Sequence, residues 1–216
     1  MQRWLRSSSS PSTPGDTAKV ATFNGSCWRT ANSLLRTDAL VVCVQEAKLS
    51  KQADLAEASQ WALNNGWHSI FSAAGRGPKG GLSAGVAILA RPIVGLRLPS
   101  VGPWEVRKGR AIVAMVTLSG CPPIAVACTY LISGVGISKA NAAILADVGQ
   151  VLEQLDAPFV WGGDFNGSPA SIAATEIHSR TGAAIIAAPE GAATCRTPFK
   201  SSNIDFHRSR STCKSC

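Results

Sequence analysis

Apolar positions fall along this chain in two rhythms. Near-continuous apolar runs at residues 39–45, 84–89, 111–118, 123–130 and 158–164 are short and bounded by Gly, Pro or polar residues, as in strands buried on both faces. Residues 20–24, 68–72, 93–98 and 183–188 predict further strands, and 202–206 a short last one. The helical rhythm is clearest over 138–156, where Ile144, Val148, Val151, Leu152 and Leu155 recur on one face. A second helix is predicted over 50–65, with Leu55, Ala58, Ala62 and Leu63 along one face and Gly66 stopping it. Ser168-Pro169 reads as an N-cap followed by proline at the first helical position, opening a third helix to about Arg180 that Thr181-Gly182 ends. Residues 75–81 are glycine-rich and predict a loop. Four strands in a row without a helix imply an antiparallel stretch. Two facing sheets with outer helices fit this strand-rich α/β pattern, and so does one mixed sheet.

Polar residues cluster where the strands end. The 158–164 run closes on Asp164, with Asn166 two positions later; side chains in a strand alternate, so both are expected on one side. The 39–45 run leads into Glu46, and the first strand ends at Asn24. Open α/β sheets bind ligands at such strand ends. Taken one at a time, these residues are ordinary caps and turns, which Asp and Asn favour in any case. As a set they could hold a hard divalent cation, which needs only one or two carboxylates plus water and a phosphate.

Composition narrows the picture. The chain has 216 residues, 45% hydrophobic and 16% charged, enough for one folded domain. We expect a disordered Ser/Pro-rich tail over 1–18, a folded domain over 19–210 and a basic, Cys-containing tail over 211–216. The formal net charge of +8 favours polyanionic partners. Within it, Arg107-Lys108-Gly109-Arg110 reads as a basic loop beside the core, with Trp104 nearby as a candidate stacking ring; the other tryptophans read as core. The seven cysteines are odd in number, and Cys43 and Cys128 sit in core-like runs, which fits a reducing compartment. Cys213-x-x-Cys216 lacks a second pair and is a weak zinc signal. No run approaches the ~20 apolar residues of a membrane helix. The N-terminus has no secretory h-region; its Ser, Arg3 and Arg6 resemble an organellar transit peptide only faintly. An intracellular, nuclear or cytoplasmic monomer is expected.

In order, Thr22-Phe23-Asn24, Gln45-Glu46, Tyr130 after an apolar strand, Gly162-Gly163-Asp164-Phe165-Asn166 and Asn203-Ile204-Asp205-Phe206 resemble the endonuclease/exonuclease/phosphatase superfamily. Gly80-Gly81 before residues 85–89 resembles that family's glycine-led middle strand. The resemblance implies a four-layer α/β sandwich, two mostly antiparallel sheets flanked by helices, and hydrolysis of phosphoesters with Mg²⁺ or Mn²⁺. It makes Glu46 the main metal ligand with Asn24 beside it. It has Asp164 orient or activate water, Asn166 donate to the phosphate, Tyr130 sit against the phosphate, and Asp205 orient a histidine. The family's next strand ends in a Ser-Asp-His box, which this chain lacks. His68, His178 and His207 lie in the wrong elements to replace it. The last strand of the fold is therefore expected to be missing, with weak or absent nuclease activity. Residues 25–27 also carry no acid after Asn24, and Leu131-Ile132-Ser133-Gly134 departs from the polar segment expected after Tyr130. The alternatives are an inositol or lipid phosphate phosphatase, and a non-catalytic nucleic-acid-binding remnant of a mobile element.

Overall fold

The computed structural model describes residues 18–77 and 80–187, with the backbones of short strands at Gln2–Trp4, Cys195–Arg196, Ser201–Ser202 and Phe206–Ser209. Two sheets face each other. The first runs Gln2–Trp4, Lys19–Asn24, Val41–Gln45, Val86–Ala90, His68–Ser72. The second runs Ala184–Ala187, Phe206–Ser209, Phe159–Asp164, Ile124–Tyr130, Ala111–Thr117, Gly95–Arg97, with Glu105–Arg107 also paired to Ala111–Thr117.

Each sheet contains one parallel pair, and these two pairs position the site. Lys19–Asn24 lies parallel to Val41–Gln45, and Ile124–Tyr130 parallel to Phe159–Asp164. A parallel pair needs a crossover. The helix Lys139–Leu155 supplies it in the second sheet, and the helix Trp28–Leu34 lies within it in the first. Both parallel pairs thus end their chains at the same rim.

Alternation along the strands builds the layers. In Val41–Gln45, Cys43 packs inward with its sheet neighbour Ile88 and with Ile112, Val126 and Cys128 of the facing strands. Val42 and Val44 face outward onto Trp28, Ala31, Ala58 and Ala62 of the helices. On the far side, Ile144, Leu145, Val148 and Leu152 cover the second sheet at Val113, Ala127 and Trp161. Burial on both faces explains why these strands read as unbroken apolar runs. The layers are helix, sheet, sheet, helix. Truncating a fully buried side chain such as Leu152 to Ala would destabilise this packing by about 2–5 kcal/mol.

Two close approaches, one between strands and one of a loop onto the helix Trp28–Leu34, exclude a side chain. A Cβ at Gly163 would lie 2.1 Å from the Thr129 carbonyl oxygen, and one at Gly25 would lie 2.6 Å from the Ala31 Cβ. The long helix starts as predicted, with Ser138 accepting from Asn141 N, and Ser168 caps the next with Pro169 at its start.

Several expectations are corrected. Leu63 is 55% exposed; Ala58 and Ala62 form the buried face of Gln52–Asn64, with Trp61 packed beside them against Trp28. The helix predicted from 169 to about 180 is two, Pro169–Ala173 and Ile177–Thr181. Thr175 bonds to both Ile172 O and Ile177 N, and Glu176 turns left-handed (φ +56°), which breaks the run. The glycine-rich loop contains a small hairpin, Gly75–Arg76 with Leu82–Ser83. Among the described residues a strand lies at Phe206–Ser209, pairing with Val160 and Trp161, while 203–205 of the strand predicted at 202–206 lie outside the described residues. The helix Trp28–Leu34 carries no clear period and was not expected. No helix among the described residues is long and apolar enough to cross a membrane.

Candidate active site

The cleft forms where the two parallel pairs end. Its floor is Gln45, fully buried, which accepts from Thr22 Oγ1 (3.1 Å) in its own sheet and donates to Cys128 Sγ (3.3 Å) in the other. Had the strand continued regularly, Glu46 would fall on the outward side with Val44. A left-handed φ of +56° turns it toward the facing sheet instead.

There Glu46 Oε1 accepts from Tyr130 OH (2.6 Å) and from Asn24 Nδ2 (3.1 Å), and Oε2 pairs with Lys48 Nζ (2.9 Å). Asn24 Nδ2 also donates to Asp164 Oδ2 (2.7 Å), so one carboxamide bridges a carboxylate from each sheet. Asn24 Oδ1 accepts from Ser26 N, which fixes that orientation.

Asp164 is 5% exposed. Its Oδ1 accepts from Asn166 N (3.1 Å), an Asx-type turn that carries Asn166 into a left-handed conformation, φ +45°. Asn166 therefore does not continue the strand alternation from which its placement was predicted. Its Nδ2 donates to Leu131 O (2.9 Å), leaving one amide hydrogen toward the cleft rim.

The two carboxyls are pushed in opposite directions. Burial raises Glu46, but hydrogen bonds from Tyr130, Lys48 and Asn24 together outweigh it and hold the acid below its ordinary range. Burial dominates at Asp164 and raises it; donors from Asn24 and Asn166 offset this only in part, and the charge of Glu46 adds to it. Tyr130 is raised too, by burial first and then by its bond to Glu46, so it remains a neutral donor.

Sequence reasoning named Glu46, Asn24, Asp164, Asn166 and Tyr130, and the fold gathers all five. Asp205 lies outside the described residues, as do Cys213 and Cys216. Two further residues were missed. Lys48 stands two positions after Glu46, but their pairing comes from left-handed turns at both residues past the end of the strand, which no sequence pattern signalled. Arg110 was read as part of an outer basic loop, but it folds inward. Its guanidinium lies 4.9 Å from the Tyr130 ring centre and donates to Ser83 Oγ (3.1 Å), and its Nη1 is buried without a partner among the described residues. Arg107 of the same segment pairs with Asp147 on the long helix. Trp104, the candidate stacking ring, packs partly buried against the inter-sheet core.

The oxygen donors at the site are the carboxylates of Glu46 and Asp164; Asn24 turns its amide nitrogen to both and its oxygen to Ser26 N. Among the described residues there is no group of three or more His, Cys, Asp or Glu that could hold a metal. The set suits a cation that keeps most of its waters and shares a substrate phosphate, as Mg²⁺ does.

A family model described as the Endonuclease/Exonuclease/phosphatase family matches residues 21–210. No curated protein matches the chain. Among solved structures, the human Nocturnin catalytic domain with bound sulfate aligns at TM-score 0.61 and 15% identity, covering 84% of this chain and 73% of that one. TDP2 of D. rerio, complexed with a single strand DNA product, aligns at 0.56 and 17%, covering 91% and 84%. The AP endonuclease LMAP from Leishmania major aligns at 0.58 and 17%, covering 89% and 78%. At these identities the likeness is one of fold.

Proposed function

The chain belongs to the endonuclease/exonuclease/phosphatase family, and from that premise we propose that it is a Mg²⁺-dependent phosphoester hydrolase acting on nucleic acid. One observation carries the reading: Asn24 draws Glu46 and Asp164, from opposite sheets, to within 3.1 Å and 2.7 Å of one amide nitrogen. Two acids pushed apart in acidity at one spot are suited to two different tasks.

Glu46, kept ionised by its donors, would hold the cation, and Asn24 would join it once its carboxamide turns to present oxygen in place of Nδ2. When bound, Mg²⁺ stabilises charge on a phosphoryl oxygen and lowers the pKa of coordinated water. Asp164, raised by burial, takes the proton of the attacking water. The remaining amide hydrogen of Asn166 is available to a phosphate oxygen, where charge grows in the transition state. Tyr130 steadies Glu46 on the phosphate side. The net charge of +8 supports a polyanionic substrate, and the DNA product held by one neighbour supports nucleic acid in particular.

The test is cleavage of supercoiled plasmid and of an abasic-site duplex with Mg²⁺, beside Asp164→Ala. Cleavage should vanish with EDTA and fall ~10²–10⁴-fold in the variant. Folded protein that cleaves no faster than the variant would sink the nuclease reading and send the test to inositol phosphates.

A further inference from the structure

The carboxylate that is to receive a cation already holds one. Lys48 Nζ sits 2.9 Å from Glu46 Oε2, while Tyr130 and Asn24 take Oε1. The pairing is built by the backbone. Glu46 and Lys48 are both left-handed (φ +56° and +53°), an uncommon conformation for residues with a side chain. Ala47 N donates to Gly85 O (2.9 Å) and Lys48 N to Ala84 O (3.0 Å), which holds the segment in place. Gly85 permits this approach, since a Cβ there would come 3.0 Å from Lys48 N. Persistent strain of this kind at a cleft is a pointer to function.

The two site cations differ in freedom. Arg110 is stacked on Tyr130 and bonded to Ser83. Lys48 is 34% exposed at its side chain and reaches Glu46 through a flexible four-carbon stem. A divalent ion at Glu46 and an ammonium on the same carboxylate repel each other, so the mobile partner gives way.

We propose that Lys48 is a displaceable internal counter-ion of Glu46 that couples metal binding to phosphate binding. Metal arriving alone must expel the ammonium; a phosphate anion in the cleft accepts it, so each ligand tightens the other. Linkage makes this reciprocal. The inference rests on Glu46 being the metal ligand, as proposed above.

The experiment is calorimetric titration of the purified chain with Mn²⁺, with and without inorganic phosphate, for wild type, Lys48→Met and Glu46→Gln. Met retains the apolar stem, and Lys48→Gln gives a second uncharged variant should Lys48→Met fold poorly. Wild type should bind Mn²⁺ about tenfold more tightly with phosphate present. Lys48→Met should bind Mn²⁺ more tightly than wild type when alone and lose most of the phosphate effect. Equal Mn²⁺ affinity for Lys48→Met and wild type, with the phosphate effect intact, overturns the proposal. Equal Mn²⁺ affinity for Glu46→Gln and wild type instead overturns Glu46 as the ligand, and this coupling with it.

Discussion

Glu46 and Asp164 occupy equivalent places in the two halves of the molecule. Each lies at the end of a strand from a parallel pair, and each accepts from the same amide nitrogen of Asn24. Yet Glu46 is held below the ordinary carboxylic range and Asp164 above it. Burial acts on both but more strongly on Asp164, 5% exposed where the Glu46 side chain is 20% exposed, and the number of strong donors differs as well. Glu46 has a phenol, an ammonium and an amide, whereas Asp164 has one amide and one backbone N–H. Depth of burial and donor count together decide which acid remains a firm anion and which accepts a proton readily.

The strongest way to break this comparison is to neutralise each acid in turn. Glu46→Gln should abolish both metal-dependent hydrolysis and stabilisation by Mn²⁺ in thermal melts. Asp164→Asn should lose ~10²–10⁴ in rate yet keep the Mn²⁺ melt shift. Stability without metal should also diverge. A depressed acid contributes stability above its unfolded pKa and loses it as pH falls through the lower folded value. A raised acid destabilises the fold at neutral pH and is relieved as pH falls through its raised value. Metal-free Asp164→Asn should therefore be more stable than wild type at pH 7, by about 1 kcal/mol, and Glu46→Gln less stable. The Asp164→Asn gain should shrink as pH falls through the raised Asp164 value and be gone below about 4, where the carboxyl is protonated in the unfolded chain too. Urea titrations at pH 7 and pH 4 check both signs.

Removing the shared donor is the next step down. Asn24→Ala deprives both acids of a donor, so both should shift upward, read as carboxyl ¹³C titrations. Asp164 should move further, because Asn24 is its largest offsetting interaction and only the third strongest support of Glu46. Equal shifts would show that the amide is not what separates them. Tyr130→Phe should act on one acid alone. It removes one hydrogen bond to a charged oxygen, about 1.5–3 kcal/mol, raising the Glu46 pKa and leaving Asp164 nearly unmoved.

Much of this site was legible because its residues end apolar runs. Glu46, Asp164 and Asn24 follow directly from strands that alternation and continuity reveal. What could not be read was the turn each residue makes beyond the strand. Asn166 was placed by alternation, but an Asx turn and a positive φ place it by a different rule. Arg110 belonged on the surface by composition, and only the approach of Ser83 and Tyr130 from elsewhere in the chain brings it inside. The facing sheets follow the same logic. The runs showed that the strands are buried on both faces, but choosing two sheets over one required the pairing of strands far apart in sequence. Trp28–Leu34 escaped notice because its seven residues carry too little periodicity to register.

The Gly163 contact has a consequence for how such chains are recognised. Its backbone presses on Thr129 with no room for a Cβ, so the glycine before Asp164 is demanded by the joining of two strands whether or not any phosphoester is ever cut. A lineage that ceased to catalyse would still be held to that glycine by the need to fold. The signature by which a family is found therefore outlives the chemistry for which it is named, and a copy that has fallen silent will go on looking like a working one.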